Sequence, residues 1–206
     1  MKSSHLLNFL LAIALVLVSA QMVFVKSGNA SSVNAEEAVL ENILGRRSVR
    51  SYQDKAVEDD KIEKLVRAGM AAPSARDKRP WHFVVVTDKE TLQAIAKANP
   101  HADMAAKAPL VIVVCGNKER MFEGEAKEFW VQDVSAATEN ILLAAHAMGL
   151  GAVWTGAYPI KERCKALAEA IGLNENYVPL CAVVIGYSDK ETQAKDKYNE
   201  DDVTYL

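Results

Sequence analysis

The strongest constraint on this chain is a set of four short apolar runs: WHFVVVT (81–87), APLVIVVCGN (108–117), GAVWTG (151–156) and YVPLCAVVIGY (177–187). Each is dense in β-branched or bulky apolar residues and too short for a core helix, so each reads as a strand, the longer ones buried on both sides. A sheet of such strands needs cover on both faces. The intervening segments supply it with helical periodicity. Residues 58–71 place Ile62, Leu65, Val66 and Met70 on one face and end before Pro73. Residues 88–98 begin with an acidic turn, which suits a helix N-terminus. The longest pattern, 129–148, is nearly apolar beyond Asn140 and is expected to run through the centre of the domain. A helix over 162–171 follows. Ahead of them all, 36–44 carries Val39, Leu40, Ile43 and Leu44 on one face and stops at Gly45, a residue suited to a left-handed C-terminal cap. This order of elements predicts an α+β or α/β sandwich around a central sheet.

At 206 residues the chain has the length of one domain with a sizeable core. A net charge of -3 gives no general pull toward nucleic acid or anionic lipid, so no nucleic-acid partner is expected and any anion site must be local. The first residues differ from the rest. Lys2 precedes an apolar run from Leu6 to Val18, with small-residue exits at Val18-Ser19-Ala20 and Gly28-Asn29-Ala30, the layout of a secretory signal. Apolar character resumes at Met22 to Val25, so the stretch from Leu6 to Val25 approaches the roughly 20 residues of an uncleaved membrane anchor. The expected organisation is a signal peptide or anchor over 1–26, a linker over 27–35 and one domain over 36–206, exported, periplasmic or membrane-anchored outside the cytoplasm. Cys115, Cys164 and Cys181 show no metal-ligand spacing and read as buried thiols, one pair of which remains a disulfide candidate in an oxidising compartment. The four histidines are scattered without paired spacing, so no metal site is expected. The charged end, 188–206, has no core of its own and must stay loose or fold against something else.

The local anion site has a candidate in LGRRSVRSY (44–52). Arg46, Ser48 and Arg50 alternate, so in an extended segment they project from one side and can grip one compact anion. Other anion-binding and catalytic signatures are missing. GLGAVWTG lacks the G-x-G-x-x-G spacing and precedes a strand, no Walker loop occurs, and no G-x-S-x-G elbow is present.

RRSVRSY after a short helix, AAPSARDKRPWHFVVV after the next, DVSAATENILLAAHAMGLGAVWTG in the middle and VPLCAVVIGY near the end resemble, in that order, the FMN-dependent nitroreductase family. The resemblance covers about 36–197. It implies an α+β sandwich with a central, mostly antiparallel sheet flanked by helices and a flavin at a homodimer interface. It implies that Arg46, Arg47, Ser48 and Arg50 hold the FMN phosphate and ribityl chain, and that Pro73, Ser74, Ala75 and Asp77 approach the flavin from the other subunit. Trp154, Thr155 and Gly156 would lie along the flavin ring, with a backbone N–H near Gly156 aimed at N5, and Lys195 and Lys197 would reach the phosphate. Where relatives carry Asn and Gln, this chain has Asp77 and Arg79, and an ionised aspartate only accepts hydrogen bonds. The implied activity passes hydride from NADH or NADPH through FMN to a nitroaromatic, quinone or similar small acceptor by a ping-pong mechanism, with no side chain as nucleophile. A non-catalytic FMN-binding protein, a membrane-anchored interaction module, and a specialised flavoenzyme such as a reductive dehalogenase using an extracytoplasmic donor are the alternatives on the same sequence.

Overall fold

The computed structural model describes residues 34–206; the leader and the linker's first part lie outside the described residues. Glu41–Leu206 form one compact unit, and the fold below is that of this unit, entered through its first helix. The helices are α1 (Ala35–Gly45), α2 (Asp59–Met70), α3 (Lys89–Ala98), α4 (Phe129–Ala147) and α5 (Lys161–Ala170); the strands are β1 (Trp81–Val86), β2 (Leu110–Asn117), β3 (Gly151–Gly156) and β4 (Tyr177–Gly186).

The four strands form one sheet in the order β1-β2-β4-β3, and every neighbouring pair is antiparallel. Trp81 faces Gly116, Leu110 faces Ile185, and Gly151 faces Gly186. Because side chains alternate across a strand, β2 and β4 feed two separate cores. Leu110, Ile112, Val114, Val183 and Ile185 point to one face, where α2 and α4 cover them. Val111, Val113, Ala182 and Val184 point to the other, against Leu92 and Ile95 of α3 and Leu167 of α5. The double burial inferred from β2's unbroken apolar run is thus realised, since all eight of its residues are buried.

α4 does run through the first core. It buries Val134, Ala137, Ile141, Leu142 and Ala145 along one side, and each aliphatic side chain of leucine size contributes about 1.5–3 kcal/mol of burial free energy. Two short-range readings differ from the structure. Gly45 is the last residue of α1 but is not left-handed; a Cβ there would meet the His146 ring at 3.0 Å, so close packing of α1 on α4 accounts for the glycine. Residues 100–107 form an unanticipated 3-10 segment, started by Asn99, whose side chain accepts from the His101 N–H at 3.0 Å. Among the described residues no helix is long and apolar enough to cross a membrane.

Candidate functional site

The arginine segment leaves α1 and runs beside β3, the sheet edge. Ser48 bridges Ala152 in parallel, and the Val49 N–H donates to the Ala152 carbonyl at 3.0 Å. Val49 is 4% exposed, so the alternation is pinned by its burial and sends Ser48 and Arg50 outward. The charged tail is stitched to the same segment. The Gln53 N–H donates to the Tyr187 carbonyl at 2.8 Å, the Ser51 hydroxyl to Asp189 at 2.8 Å, and Arg47 Nε to the Thr192 hydroxyl at 3.0 Å. Of the two fates open to the tail, its first half takes the second.

This stitching brings Arg46, Arg47, Ser48, Arg50, Lys195 and Lys197 to one cavity of about 490 Å³, which no carboxylate lines. The five cations are not equivalent. Arg46 is 3.2 Å from Glu139. Arg47 is largely spent inside the protein: beyond Thr192 it donates to the Gly45 carbonyl at 3.2 Å and lies 3.2 Å from His146 Nε2. Arg50, Lys195 and Lys197 have no ion-pair partner among the described residues.

Arg50 also borders a second cavity of about 360 Å³ along the end of β3, where Trp154, Thr155 and Gly156 lie. The three differ in what they offer. Thr155 is 3% exposed and its hydroxyl donates to the Ala182 carbonyl at 2.7 Å, so its side chain belongs to the sheet interior and only its backbone reaches the cavity. Trp154 is half-buried against the α4-side core. Gly156 is exposed, and a Cβ built on it meets nothing within 4 Å; nothing in the chain itself requires glycine there, and its bare backbone is open to close approach from the cavity. Its carbonyl accepts from the side chain of Asn99, which is fully buried, at 3.3 Å. His101 and Arg163 complete the rim, 3.2 Å apart. Asn99, His101 and Arg163 escape a sequence reading because each is an isolated polar residue in an irregular or amphipathic stretch.

Pro73, Ser74, Ala75 and Asp77 line neither cavity. They sit in a tight loop in which Arg76, Asp77 and Arg79 have φ of 49°, 54° and 49°, left-handed values unusual for residues with side chains. The Ser74 hydroxyl accepts the Arg79 N–H at 3.0 Å, and the Asp133 carboxylate accepts the Ala75 N–H at 2.9 Å. Asp77 receives Arg79 Nε at 2.7 Å, and this hydrogen bond holds its carboxyl below the usual range, ionised and acceptor-only. The loop borders a different cavity of about 490 Å³, which Arg79 shares with Trp81, His82 and Phe83 of β1 and with Val66 and Met70 of α2. Asp133 carries a fainter sequence signal, a carboxylate flanked by Trp130, Val134 and Ala137 at helical spacing.

Comparison with known proteins gives concordant matches. The model of the Nitroreductase family matches residues 43–102 and 96–187. A protein of Archaeoglobus fulgidus, provisionally named an NADH dehydrogenase/NAD(P)H nitroreductase, is 45% identical over 168 residues, 80% of this chain and 95% of its own length. A crystal structure from Bacteroides thetaiotaomicron under the same provisional name is 48% identical, with a TM-score of 0.77 over 82% of this chain and 96% of that one. A Desulfovibrio desulfuricans protein of provisional nitroreductase assignment, solved in complex with FMN, is 29% identical, with a TM-score of 0.71 over 82% of this chain and 96% of that one.

Proposed function

The chain belongs to the nitroreductase family, and from that premise we propose that it is an FMN-dependent oxidoreductase driven by NADH or NADPH. The observation that carries this reading is the cavity where Arg46, Arg47, Ser48, Arg50, Lys195 and Lys197 converge from opposite ends of an acidic chain. A phosphomonoester fits such a site: guanidinium groups give bidentate charge-assisted bonds and ammonium groups add point charge. Arg50, shared with the neighbouring cavity, leads from the phosphate toward the bare backbone of Gly156, where a flat ring can approach. The residues present therefore suit FMN, with the phosphate on the cations and the ring against Trp154–Gly156.

FMN, when bound, supplies the two-electron chemistry that no side chain of this site offers. The protein's part is to bind and orient. Arg50, Lys195 and Lys197, lacking internal partners, neutralise the phosphate. The Gly156 backbone lets the ring lie close, with Asn99 holding the Gly156 carbonyl in place. Pro73, Ser74, Ala75 and Asp77, remote from both cavities in their own chain, are assigned to the flavin of a second copy. The exposed apolar residues Ile43 and Leu44, 47% and 73% accessible, support a homodimer that covers them. Donor and acceptor then use one open ring face in turn, which gives ping-pong kinetics with nitroaromatics, quinones or similar small acceptors. The apolar run after Lys2 favours a domain outside the cytoplasm, and with it a donor other than a reduced nicotinamide as the physiological alternative.

The test is steady-state kinetics of the FMN-loaded protein with NADH and NADPH against a nitroaromatic and a quinone. Parallel double-reciprocal lines are expected with at least one donor. Intersecting lines, or bound flavin that neither donor reduces, would overturn the corresponding part of the assignment.

A further inference from the structure

Among the described residues one buried side-chain atom lacks a hydrogen-bond partner: Oδ2 of Asp133. The residue is 7% exposed, in the second turn of α4, on the face that carries Trp130, Val134 and Ala137 into the core. A carboxylate in such a place is costly unless its oxygens meet donors, and the N-terminal end of the helix offsets only part of that cost. One oxygen is matched: Oδ1 accepts the Ala75 N–H at 2.9 Å. The other is not. Asparagine would serve the Ala75 N–H equally well without a buried charge, so what aspartate adds is the second acceptor.

The loop that Asp133 holds is also the one with the left-handed run at Arg76, Asp77 and Arg79. Non-glycine residues keep such conformations only where surrounding contacts over-determine them. Four side-chain contacts do so here: Asp133 on the Ala75 N–H, the Ser74 hydroxyl on the Arg79 N–H, Asp77 on the Arg79 guanidinium, and Arg120 Nη1 on the Arg79 carbonyl at 3.3 Å. Of these side chains only Asp133 is buried in the core.

We propose that Asp133 is the positioning residue of the 73–79 loop, and that its second oxygen takes another N–H of that loop when a bound flavin presses the loop inward. Cofactor binding would then tighten the loop through this carboxylate. The second half of the inference rests on the flavin-binding reading above; the first half does not.

Limited trypsin digestion of the full-length protein, followed by mass spectrometry, reads the loop directly. Arg76 and Lys78 are exposed cleavage sites, while Arg79 is protected by the Pro80 that follows it. In the wild type, cleavage after Arg76 and Lys78 should be slow and slower still with saturating FMN. Asp133→Ala should be cut several-fold faster with or without FMN. Asp133→Asn, which keeps one acceptor for Ala75, should match the wild type without FMN but gain little protection when FMN is added. Wild-type cleavage rates in Asp133→Ala without FMN would overturn the anchoring role, and full FMN-dependent protection in Asp133→Asn would overturn the role of the second oxygen. Should Asp133→Ala fail to fold by circular dichroism, Asp133→Leu, which fills the same space and offers no acceptor, takes its place in the comparison without FMN. A fluorescence titration of the wild type with FMN keeps the two readings apart: no binding removes the flavin assignment, while the digestion without FMN still decides the anchor.

Discussion

Arg50→Ala should weaken FMN binding without weakening the fold, and should do so through the phosphate. Arg50 borders both cavities and makes no hydrogen bond or ion pair inside the described chain, so truncating it orphans no protein group. A hydrogen bond to a charged group is worth about 1.5–3 kcal/mol. Since Arg50 is exposed, the lower figure applies, and about 1.5 kcal/mol corresponds to a Kd roughly tenfold higher. The assay is quenching of flavin fluorescence, run in parallel with FMN and with riboflavin, which has the same ring and no phosphate. The variant should lose about tenfold for FMN and little for riboflavin, and raising the salt concentration should narrow the gap between wild type and variant. Equal losses for both ligands, or an unchanged FMN Kd, would refute the phosphate assignment.

The neighbouring Arg47 should behave in the opposite way, because its bonds to Thr192, the Gly45 carbonyl and His146 tie three segments together. Arg47→Ala is expected to cost about 1–3 kcal/mol and to lower the Tm by about 3–8 °C in a thermal melt, so an unchanged Tm would contradict it. Gly156→Val should leave the Tm unchanged, since space is open around its Cβ position, while FMN affinity falls; unaltered FMN binding would show that no ring lies there. At the far end of α2, the hydroxyl of Tyr187 donates to Glu58 at 2.6 Å, and this bond, with Lys61 and Lys55 adding charge, holds the Glu58 carboxyl at about 2 instead of 4.5. A folded pKa below the unfolded one stabilises fully above 4.5 and is lost as pH falls toward 2. The Tm difference between wild type and Glu58→Gln should therefore shrink over that window, and a difference independent of pH would exclude this linkage.

Much of the fold is legible in the sequence because burial on both faces leaves a coarse imprint. The unbroken apolar run of β2 and the apolar half of α4 announce the two-sided sheet and the helix crossing it. The site is legible in a different way. Alternation of Arg46, Ser48 and Arg50 survives because Val49 between them is buried, which the sequence shows as one apolar residue in a basic stretch. Convergence of Lys195 and Lys197 on those arginines is a tertiary fact: bonds from Ser51, Gln53 and Arg47 to the irregular segment after β4 create it, and no local pattern in a charged tail encodes it. Thr155 shows what a motif match leaves open, since it gives the position but not that the side chain turns inward to Ala182. Gly45 reads as a backbone device and is a packing one. Asp133 hides because helix periodicity is judged on apolar residues, so the one charge on a core face is passed over.

The most direct test of the central claim is an absorbance spectrum of the purified protein with FMN, recorded anaerobically before and after addition of NADH or NADPH. The account predicts protein-bound flavin bands that bleach with at least one of the two donors. Protein that emerges from gel filtration colourless after incubation with FMN would contradict it.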